Sequence, residues 1–241
     1  MAKQREQGGT DRPKNNSMTV RIDNLRTFEP ITKNQEVAFK AWDEGDNLIL
    51  AGSAGTGKTF IALYLALEEV LDPQYPQDRL IIVRSMVPTR DVGFLPGTLD
   101  EKTIQFTSLY KSLCTELFGD STAYNKMISA KQLQFESTSF IRGSTFNNAI
   151  IVVDEMQNLN FHELDSIITR VGKDSKIIFS GDYHQSDFRF KDEKEGIFKF
   201  LSIIEQLKSF SIVNFGWDDI VRSGLVRDYI MTKEMLGIVN D

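Results

Sequence analysis

The chain has little cysteine and histidine, and this shortage excludes several kinds of chemistry. Its 241 residues include a single cysteine, Cys114, so an intramolecular disulfide is impossible. His162 and His184 are the only histidines, which makes a zinc site or a Cys–His nucleophilic pair unexpected. Cys114 stands between Leu113 and Thr115, and we predict that it is a small buried hydrophobe rather than a reactive thiol.

Long apolar runs are also missing from the sequence. No stretch reaches the length of about 18 apolar residues that a membrane-spanning helix needs. The charged start of the chain, residues 1–9, is not followed by the apolar segment of a signal peptide. These absences lead us to expect a soluble, cytoplasmic protein that has no membrane partner.

Positive charge is in short supply, with 28 Lys and Arg against 34 Asp and Glu. The formal net charge of −6 argues against a generally basic surface for nucleic acid, although a local basic groove stays compatible with it. The length and the 41% hydrophobic content suit one α/β domain with a sizeable core. Residues 1–18 are almost free of apolar side chains, so we predict a disordered tail there and a single domain over residues 19–241.

Short apolar runs alternate with helical patterns through the rest of the chain. The runs predict strands at residues 47–51, 80–83, 133–137, 149–153, 176–180 and 210–215, and a further short strand at 19–22. Helices are predicted at residues 32–42, 60–67, 99–118, 161–171 and 197–207, and from about residue 224 onward. This alternation is typical of a mostly parallel sheet that is covered on both faces and binds ligands at the carboxyl ends of its strands.

The most specific signal is a complete G-x-x-x-x-G-K-[ST] motif between a strand and a helix pattern, Gly52-Ser53-Ala54-Gly55-Thr56-Gly57-Lys58-Thr59. In such a loop, backbone N–H groups surround phosphate oxygens at the positive end of the following helix. We predict that Lys58 reaches the β- and γ-phosphates and that the Thr59 hydroxyl binds Mg²⁺. The alternative is a glycine-rich turn without a ligand, but the flanking patterns favour a site for a nucleoside triphosphate.

Two acids, Asp154 and Glu155, follow the apolar run at residues 150–153. Buried carboxylates are costly unless a cation meets them, and with a phosphate loop expected on a neighbouring strand, Mg²⁺ is the obvious partner. Asp154 is therefore predicted to hold the ion, and Glu155 to position or deprotonate the attacking water. The alternative is that both acids only cap the helix that follows them.

Two glutamines are further candidates for contacts with the nucleotide. Gln185 follows the strand predicted at residues 176–180, where an amide can bond a γ-phosphate or the attacking water; an ordinary polar loop is the alternative. Gln35 precedes the glycine-rich motif by about twenty residues, and its amide can read N6 and N7 of adenine. Thr32 is also a candidate N-cap there, and both interpretations can hold together.

Beyond these motifs, the chain resembles the PhoH-like ATPases, which are themselves similar to the first RecA-like domain of superfamily 1 helicases. The resemblance covers about residues 32–234 and is most specific in Gly93-Phe94-Leu95-Pro96-Gly97 and in the order of the blocks. The other blocks are Val83-Arg84-Ser85-Met86-Val87-Pro88, Phe140-Ile141-Arg142-Gly143-Ser144-Thr145, Val153-Asp154-Glu155-Met156-Gln157-Asn158, Gly181-Asp182-Tyr183-His184-Gln185-Ser186-Asp187 and Asp219-Ile220-Val221-Arg222-Ser223-Gly224-Leu225-Val226. Ser85-Met86 stands where the family often has a proline, and Met156 where alanine is usual; both lie beside the expected nucleic-acid side.

The resemblance implies a three-layer RecA-like P-loop NTPase that hydrolyses ATP with Mg²⁺. It also implies that Gln35 faces adenine, that Gln185 senses the γ-phosphate and that Arg222 is an arginine finger. The alternative for Arg222 is an ordinary surface or helix-start arginine, and Arg227 and Arg170 are the alternate candidates for the finger. Because the chain has room for one RecA-like domain, Arg222 must fold back in cis or come from a neighbouring subunit. The family resemblance suggests a ring-like homo-oligomer, a hexamer.

Three classes of function remain open at this point. The first is an ATP-driven machine on RNA or single-stranded DNA, with contacts from Arg84, Arg90, Phe94, Phe106, Tyr110 and Arg142. For Phe106 and Tyr110, which have helical spacing, core packing is the favoured alternative. The second class is a nucleotide-dependent switch or assembly ATPase with a protein partner, and the third is a small-molecule kinase. The pair Asp154 and Glu155 fits attack by water better than transfer to an acceptor.

Overall fold

The computed structural model describes residues 19–85, 99–138, 141, 143, 145–182 and 191–237. The disordered tail predicted for residues 1–18 lies outside this part of the chain. Within the described residues, no helix is both long enough and apolar enough to cross a membrane.

A six-stranded, all-parallel sheet forms the centre of the fold, in the strand order β3-β2-β4-β5-β1-β6. The strands are β1 (Asn47–Gly52), β2 (Arg79–Arg84), β3 (Leu133–Ser137), β4 (Ala149–Val153), β5 (Lys176–Gly181) and β6 (Phe210–Phe215). The four central strands are apolar almost without interruption and buried on both faces, as parallel sheets require. The predicted α/β fold with a mostly parallel sheet is therefore confirmed.

Helices cover the two faces of this sheet and complete three layers. They are α1 (Lys33–Asp43), α2 (Lys58–Leu71), α3 (Leu99–Phe118), α4 (Ala123–Ser129), α5 (Phe161–Ile168), α6 (Lys191–Ile204) and α7 (Gly224–Met235). Apolar side chains of α1 to α4 pack with one set of alternating strand residues, and those of α5 and α6 pack with the other. Helix α7 differs from these six helices, because each of its residues is exposed or half-exposed.

The structure corrects several of the predicted elements. Residues 19–22 do not form a strand; the Val20 N–H and C=O instead bond the Gln132 side chain at 3.0 and 2.8 Å, and a 3₁₀ turn follows at Ile22–Asn24. Helix α4 was not predicted, because seven residues are too few for a clear helical period. Helix α5 ends at Ile168, earlier than expected, and α6 begins at Lys191, earlier than its apolar residues indicate.

The prediction for Cys114 is confirmed. Its side chain is fully buried in the cluster beneath α3, and burial raises the pKa of its thiol to about 12. A thiol of that pKa stays protonated at neutral pH, so Cys114 is a packing residue and not a nucleophile.

Candidate functional site

The glycine-rich loop, residues 52–59, joins β1 to α2 at the carboxyl edge of the sheet. Gly52, Gly55 and Gly57 have φ angles of +124°, +77° and +84°, in the region that glycine adopts at no steric cost. A Cβ atom at Gly52 would lie 1.9 Å from the Phe215 carbonyl oxygen, so the loop begins in direct contact with β6. The glycines therefore set the path of the chain here, and α2 begins directly after Gly57, so Lys58 and Thr59 belong to both the motif and the first turn of the helix.

Lys58 supplies the positive charge of the loop. Its Nζ donates to the carbonyl oxygens of Gly52 and Ser53, both at 2.7 Å, and to Thr56 Oγ1 at 3.4 Å. Burial lowers the pKa of Lys58, while the charges of Asp182 and nearby acids act in the opposite direction. An ammonium held on carbonyl oxygens in this way is positioned to exchange them for a stronger anionic partner.

Thr59 and Asp154 meet at the first turn of α2. Thr59 Oγ1 donates to Asp154 Oδ1 at 2.9 Å, and the Asp154 residue is 1% exposed. The expectation that the loop and the acids lie on neighbouring strands is wrong by one strand, because β5 lies between β1 and β4. The two side chains still meet, since α2 runs back across the sheet and packs against β4 as well as β5.

Two residues on other elements hold the second oxygen of Asp154. Tyr110 on α3 donates its hydroxyl to Asp154 Oδ2 at 2.8 Å, and Arg84 Nη1 at the end of β2 lies 3.7 Å from the same oxygen. Tyr110 is fully buried, which excludes it as a stacking surface for a nucleobase and confirms the packing alternative. No local pattern in the sequence indicates this role, since only the fold brings Tyr110 to Asp154.

Glu155 has an uncommon backbone conformation and a half-buried side chain. Its φ is +54°, and the Gln157 amide donates to its Oε2 while accepting from the Asp182 N–H at 3.1 Å. Burial raises the pKa of Glu155, and the neighbouring charge of Asp154 acts in the same direction. The carboxylate is thus held at the ends of β4 and β5 rather than serving as a helix cap.

Gln35 packs against the outer side of the loop. Thr32 is the N-cap of α1 as predicted, and it accepts from the Gln35 N–H at 3.4 Å. The Gln35 side chain is buried; its Oε1 accepts from the Ile31 N–H at 2.9 Å and its Nε2 donates to the Thr56 carbonyl at 3.4 Å. Gln35 therefore joins the start of α1 to the loop.

The structure brings Arg222 to the loop of its own chain. The Val221 N–H donates to the Gly55 carbonyl at 3.0 Å, and a Cβ atom at Gly55 would lie 3.0 Å from Arg222 Cγ. Arg227 lies further out, with its Nη2 atom 3.7 Å from Asp218 Oδ1. Arg170 is near the opposite edge of the sheet, where its carbonyl accepts from the Phe146 N–H, so the fold does not bring it to this site.

An acid on α7 also contacts the loop, and nothing in the sequence indicated it. Glu234 Oε2 accepts from Ser53 Oγ at 3.1 Å and from the Trp217 indole N–H. Because Ser53 belongs to the glycine-rich loop, these bonds attach the exposed helix α7 across the outer side of the loop.

Some predicted residues cannot be placed. Gln185, Arg90, Phe94 and Arg142 lie outside the described residues, as does the segment at 93–97. Phe106 is half-buried, with the Arg84 guanidinium carbon 5.9 Å from its ring centroid.

The donors of this site suit magnesium. Thr59 and Asp154 offer a hydroxyl and a carboxylate oxygen, the hard ligands that Mg²⁺ takes in nucleotide sites together with phosphate oxygens and water. Among the described residues, no group of three or more His, Cys, Asp or Glu side chains could enclose a metal ion. Such a pair is what a site needs when the nucleotide itself supplies further ligands.

Comparison with known proteins gives a consistent family. The family model described as PhoH-like protein matches residues 27–233. A PhoH-like protein of Mycobacterium leprae is 31% identical over 207 residues, covering 85% of this chain and 58% of the relative. Protein PhoH of Escherichia coli K12 is 30% identical over 205 residues, covering 83% of this chain and 57% of the relative. The chain thus spans a little over half the length of these relatives.

A solved structure, the large terminase of the thermophilic bacteriophage D6E in complex with ADP, is 14% identical and matches with a TM-score of 0.48. The match covers 86% of this chain and 50% of the terminase chain. A similarity this low has no bearing on function.

Proposed function

The chain belongs to the PhoH-like protein family, and on that premise we propose that it is an ATPase that binds ATP with Mg²⁺ and hydrolyses it. One observation carries the proposal: Lys58, Thr59 and Asp154 converge at the start of α2, next to a glycine-rich loop at the carboxyl edge of the sheet. Loops of this kind bind phosphate with their N–H groups, at the positive end of a helix.

Lys58 is the main cation for the phosphates in this proposal. It would exchange the carbonyls of Gly52 and Ser53 for the β- and γ-phosphate oxygens, which are stronger acceptors because they carry full charge. Ala54, Gly55, Thr56 and Gly57 would supply the backbone N–H groups around the phosphates. The Ser53 N–H already donates to the Phe215 carbonyl at 3.1 Å, so Ser53 would contribute through its place in the loop. Gln35 is our candidate for the contact with adenine. Its amide bonds the Ile31 N–H and the Thr56 carbonyl in this structure, so it would have to exchange or share these bonds to read the base.

Mg²⁺ bound by Thr59 and Asp154 would neutralise phosphate charge and orient the phosphoryl group. Glu155 is our candidate for the base that orients and deprotonates the attacking water. Its half-buried carboxylate lies next to Asp154 in the chain and is held by Gln157, so its position is set before substrate arrives. Gln185, four positions after the last residue of β5 in the sequence, is proposed as the γ-phosphate sensor.

Arg222 is our candidate for stabilising the charge that develops on the phosphoryl group. Its side chain packs over Gly55 of the same chain, which supports an arrangement in cis. A homo-oligomer, a hexamer by family resemblance, remains part of the proposal, but the arginine does not require a neighbouring subunit in this arrangement.

We further propose that hydrolysis is coupled to RNA or single-stranded DNA. The supporting observation is that Arg84, at the end of β2, reaches both Asp154 and the half-buried ring of Phe106. Nucleic acid that contacts the segment after β2 would thereby shift Arg84 and change the position of the Asp154 carboxylate. The alternative is a switch or assembly ATPase with a protein partner, which the exposed apolar residues of α7 favour, Leu225 and Tyr229 among them.

Steady-state ATP hydrolysis, measured with and without single-stranded RNA and DNA at low salt, tests both proposals. Low salt is needed because contacts to phosphate weaken as the salt concentration rises. We expect Mg²⁺-dependent hydrolysis that one of the two nucleic acids stimulates several-fold. Hydrolysis that neither nucleic acid changes would favour the protein-partnered switch, and no hydrolysis under any condition would contradict the assignment as an ATPase.

A further inference from the structure

The two carboxylate oxygens of Asp154 have different partners. Oδ1 accepts from Thr59 at 2.9 Å, on the side of the glycine-rich loop. Oδ2 accepts from the Tyr110 hydroxyl at 2.8 Å and lies 3.7 Å from Arg84 Nη1. The main chain of Asp154 is fixed as well, because its N–H donates to the Val83 carbonyl at 2.9 Å. The orientation of this side chain therefore depends on what holds Oδ2.

Tyr110 is the better held of the two partners of Oδ2. Its side chain is fully buried, and its ring lies 5.7 Å from that of Phe135 on β3, so the hydroxyl has little freedom to move away. A buried tyrosine hydroxyl needs an acceptor, and here that acceptor is Asp154. The Arg84 side chain is 21% exposed and its contact with Oδ2 is longer, so it holds the carboxylate less firmly.

We propose that Tyr110 is a positioning residue for the metal site: it occupies Oδ2 of Asp154 and thereby presents Oδ1, beside Thr59, to Mg²⁺. This inference rests on the proposed function, since it assigns the orientation of the predicted metal ligand to a residue on α3. Without the hydroxyl, Arg84 is the remaining partner of Oδ2 among the described residues, and the carboxylate can turn toward the guanidinium. Removing a hydrogen-bond partner of a metal ligand commonly lowers metal affinity by about 10–100-fold.

The test measures metal-dependent binding rather than turnover. A fluorescent, non-hydrolysable ATP analogue is titrated with the whole chain in EDTA and again in saturating Mg²⁺. The Kd in EDTA is then divided by the Kd in Mg²⁺, and this ratio measures how much the metal strengthens binding. For Tyr110→Phe we expect an unchanged Kd in EDTA and a ratio about tenfold smaller than that of the parent chain. Formation of the Mg²⁺–analogue complex in solution is common to all variants, so it cancels in the comparison.

Tyr124→Phe is the matched control. Tyr124 is also a buried tyrosine, on α4, and its ring contacts the Lys111 ammonium at 5.8 Å rather than Asp154. We expect this variant to keep both Kd values of the parent, while thermal melts show that both variants fold.

A second arm asks whether Tyr110 acts through Asp154. In an Asp154→Asn background, where the ratio is already small, adding Tyr110→Phe should change it no further. An unaltered ratio in Tyr110→Phe alone, or an equal further loss in the Asp154→Asn background, would overturn the proposal. A parent chain that fails to bind the analogue in either buffer would instead overturn the proposed function, and this inference with it.

Discussion

The glycine-rich loop has two sides that are built in opposite ways. On the inner side, Asp154 is 1% exposed and receives bonds from Thr59 on α2 and Tyr110 on α3. On the outer side lies α7, whose residues are all exposed or half-exposed. Two residues contact the loop there: Arg222, which precedes α7, and Glu234, which belongs to α7. One loop thus lies between a side fixed by the core and a side on which α7 is attached by a few surface contacts.

The difference indicates what each side can do. Groups fixed by burial and by several elements are preorganised, which is what electrostatic catalysis requires. An exposed helix with few apolar contacts belongs to the least stable part of a fold and can move at low cost. We therefore expect the chemistry to depend on the inner side and any response to nucleotide to appear on the outer side.

The largest effect is expected from Glu155→Gln on the inner side. Because the amide cannot accept the proton of water, kcat should fall by about 1,000-fold while the Kd for ATP stays within about twofold. Steady-state hydrolysis and equilibrium binding provide the two values. Glu205→Gln, at an exposed position, is the control and should behave as the parent. Normal turnover in Glu155→Gln would remove Glu155 as the base.

Arg222→Ala examines whether the outer side contributes to the chemistry. We expect kcat to fall by about 100-fold, less than a fully enclosed arginine finger contributes, because Arg222 is exposed. Arg227→Ala should keep the parent rate. Mixing Arg222→Ala and Glu155→Gln subunits should restore nothing beyond the sum of the two, since each chain carries its own arginine. Restored activity in confirmed mixed assemblies would show that the arginine acts between subunits.

Gly52→Ala should destabilise the fold where the loop meets β6. The new Cβ would lie 1.9 Å from the Phe215 carbonyl at a φ of +124°, so the backbone must shift, and we expect a loss of about 3 kcal/mol in the free energy of unfolding. Gly216→Ala is the control, because nothing lies within 4 Å of its Cβ position. Urea titration of both variants measures the difference; equal stabilities would contradict the close contact.

The smallest effect is expected from Glu234→Gln on α7. Removing a negative charge near Lys58 should tighten ATP binding by about threefold, or about 0.7 kcal/mol, because exposed charges interact weakly. Asp228→Asn, also exposed on α7, should leave the Kd unchanged. The emission of Trp217 offers a second measurement, since its indole bonds Glu234 and the other tryptophan, Trp42, is buried. Weaker binding in Glu234→Gln would show that the carboxylate supports the loop instead.

Most of the fold could be predicted because its signals are local. The apolar runs of the central strands and the glycine-rich motif each depend on neighbouring residues, and predicted strands 133–137 and 149–153 agree with β3 and β4 to the residue. The exceptions are short or polar. Residues 19–22 have a strand composition but pair with one side chain, and α4 is too short for a helical period.

The sequence by itself determined the fold class, the position of the glycine-rich loop and the position of the two acids at the end of a strand. In each case a run of adjacent residues carries the information. The tertiary structure alone decided the partners of those acids. Tyr110 meets Asp154 across 44 positions of the chain, and Ser53 meets Glu234 across 181. The tertiary structure also placed β5 between the strand that leads into the loop and the strand that leads into the acids, and it placed Arg222 over Gly55. Contacts of this kind follow from strand order and helix packing, which leave no local pattern in the sequence, because a side chain's partner depends on the path of the whole chain.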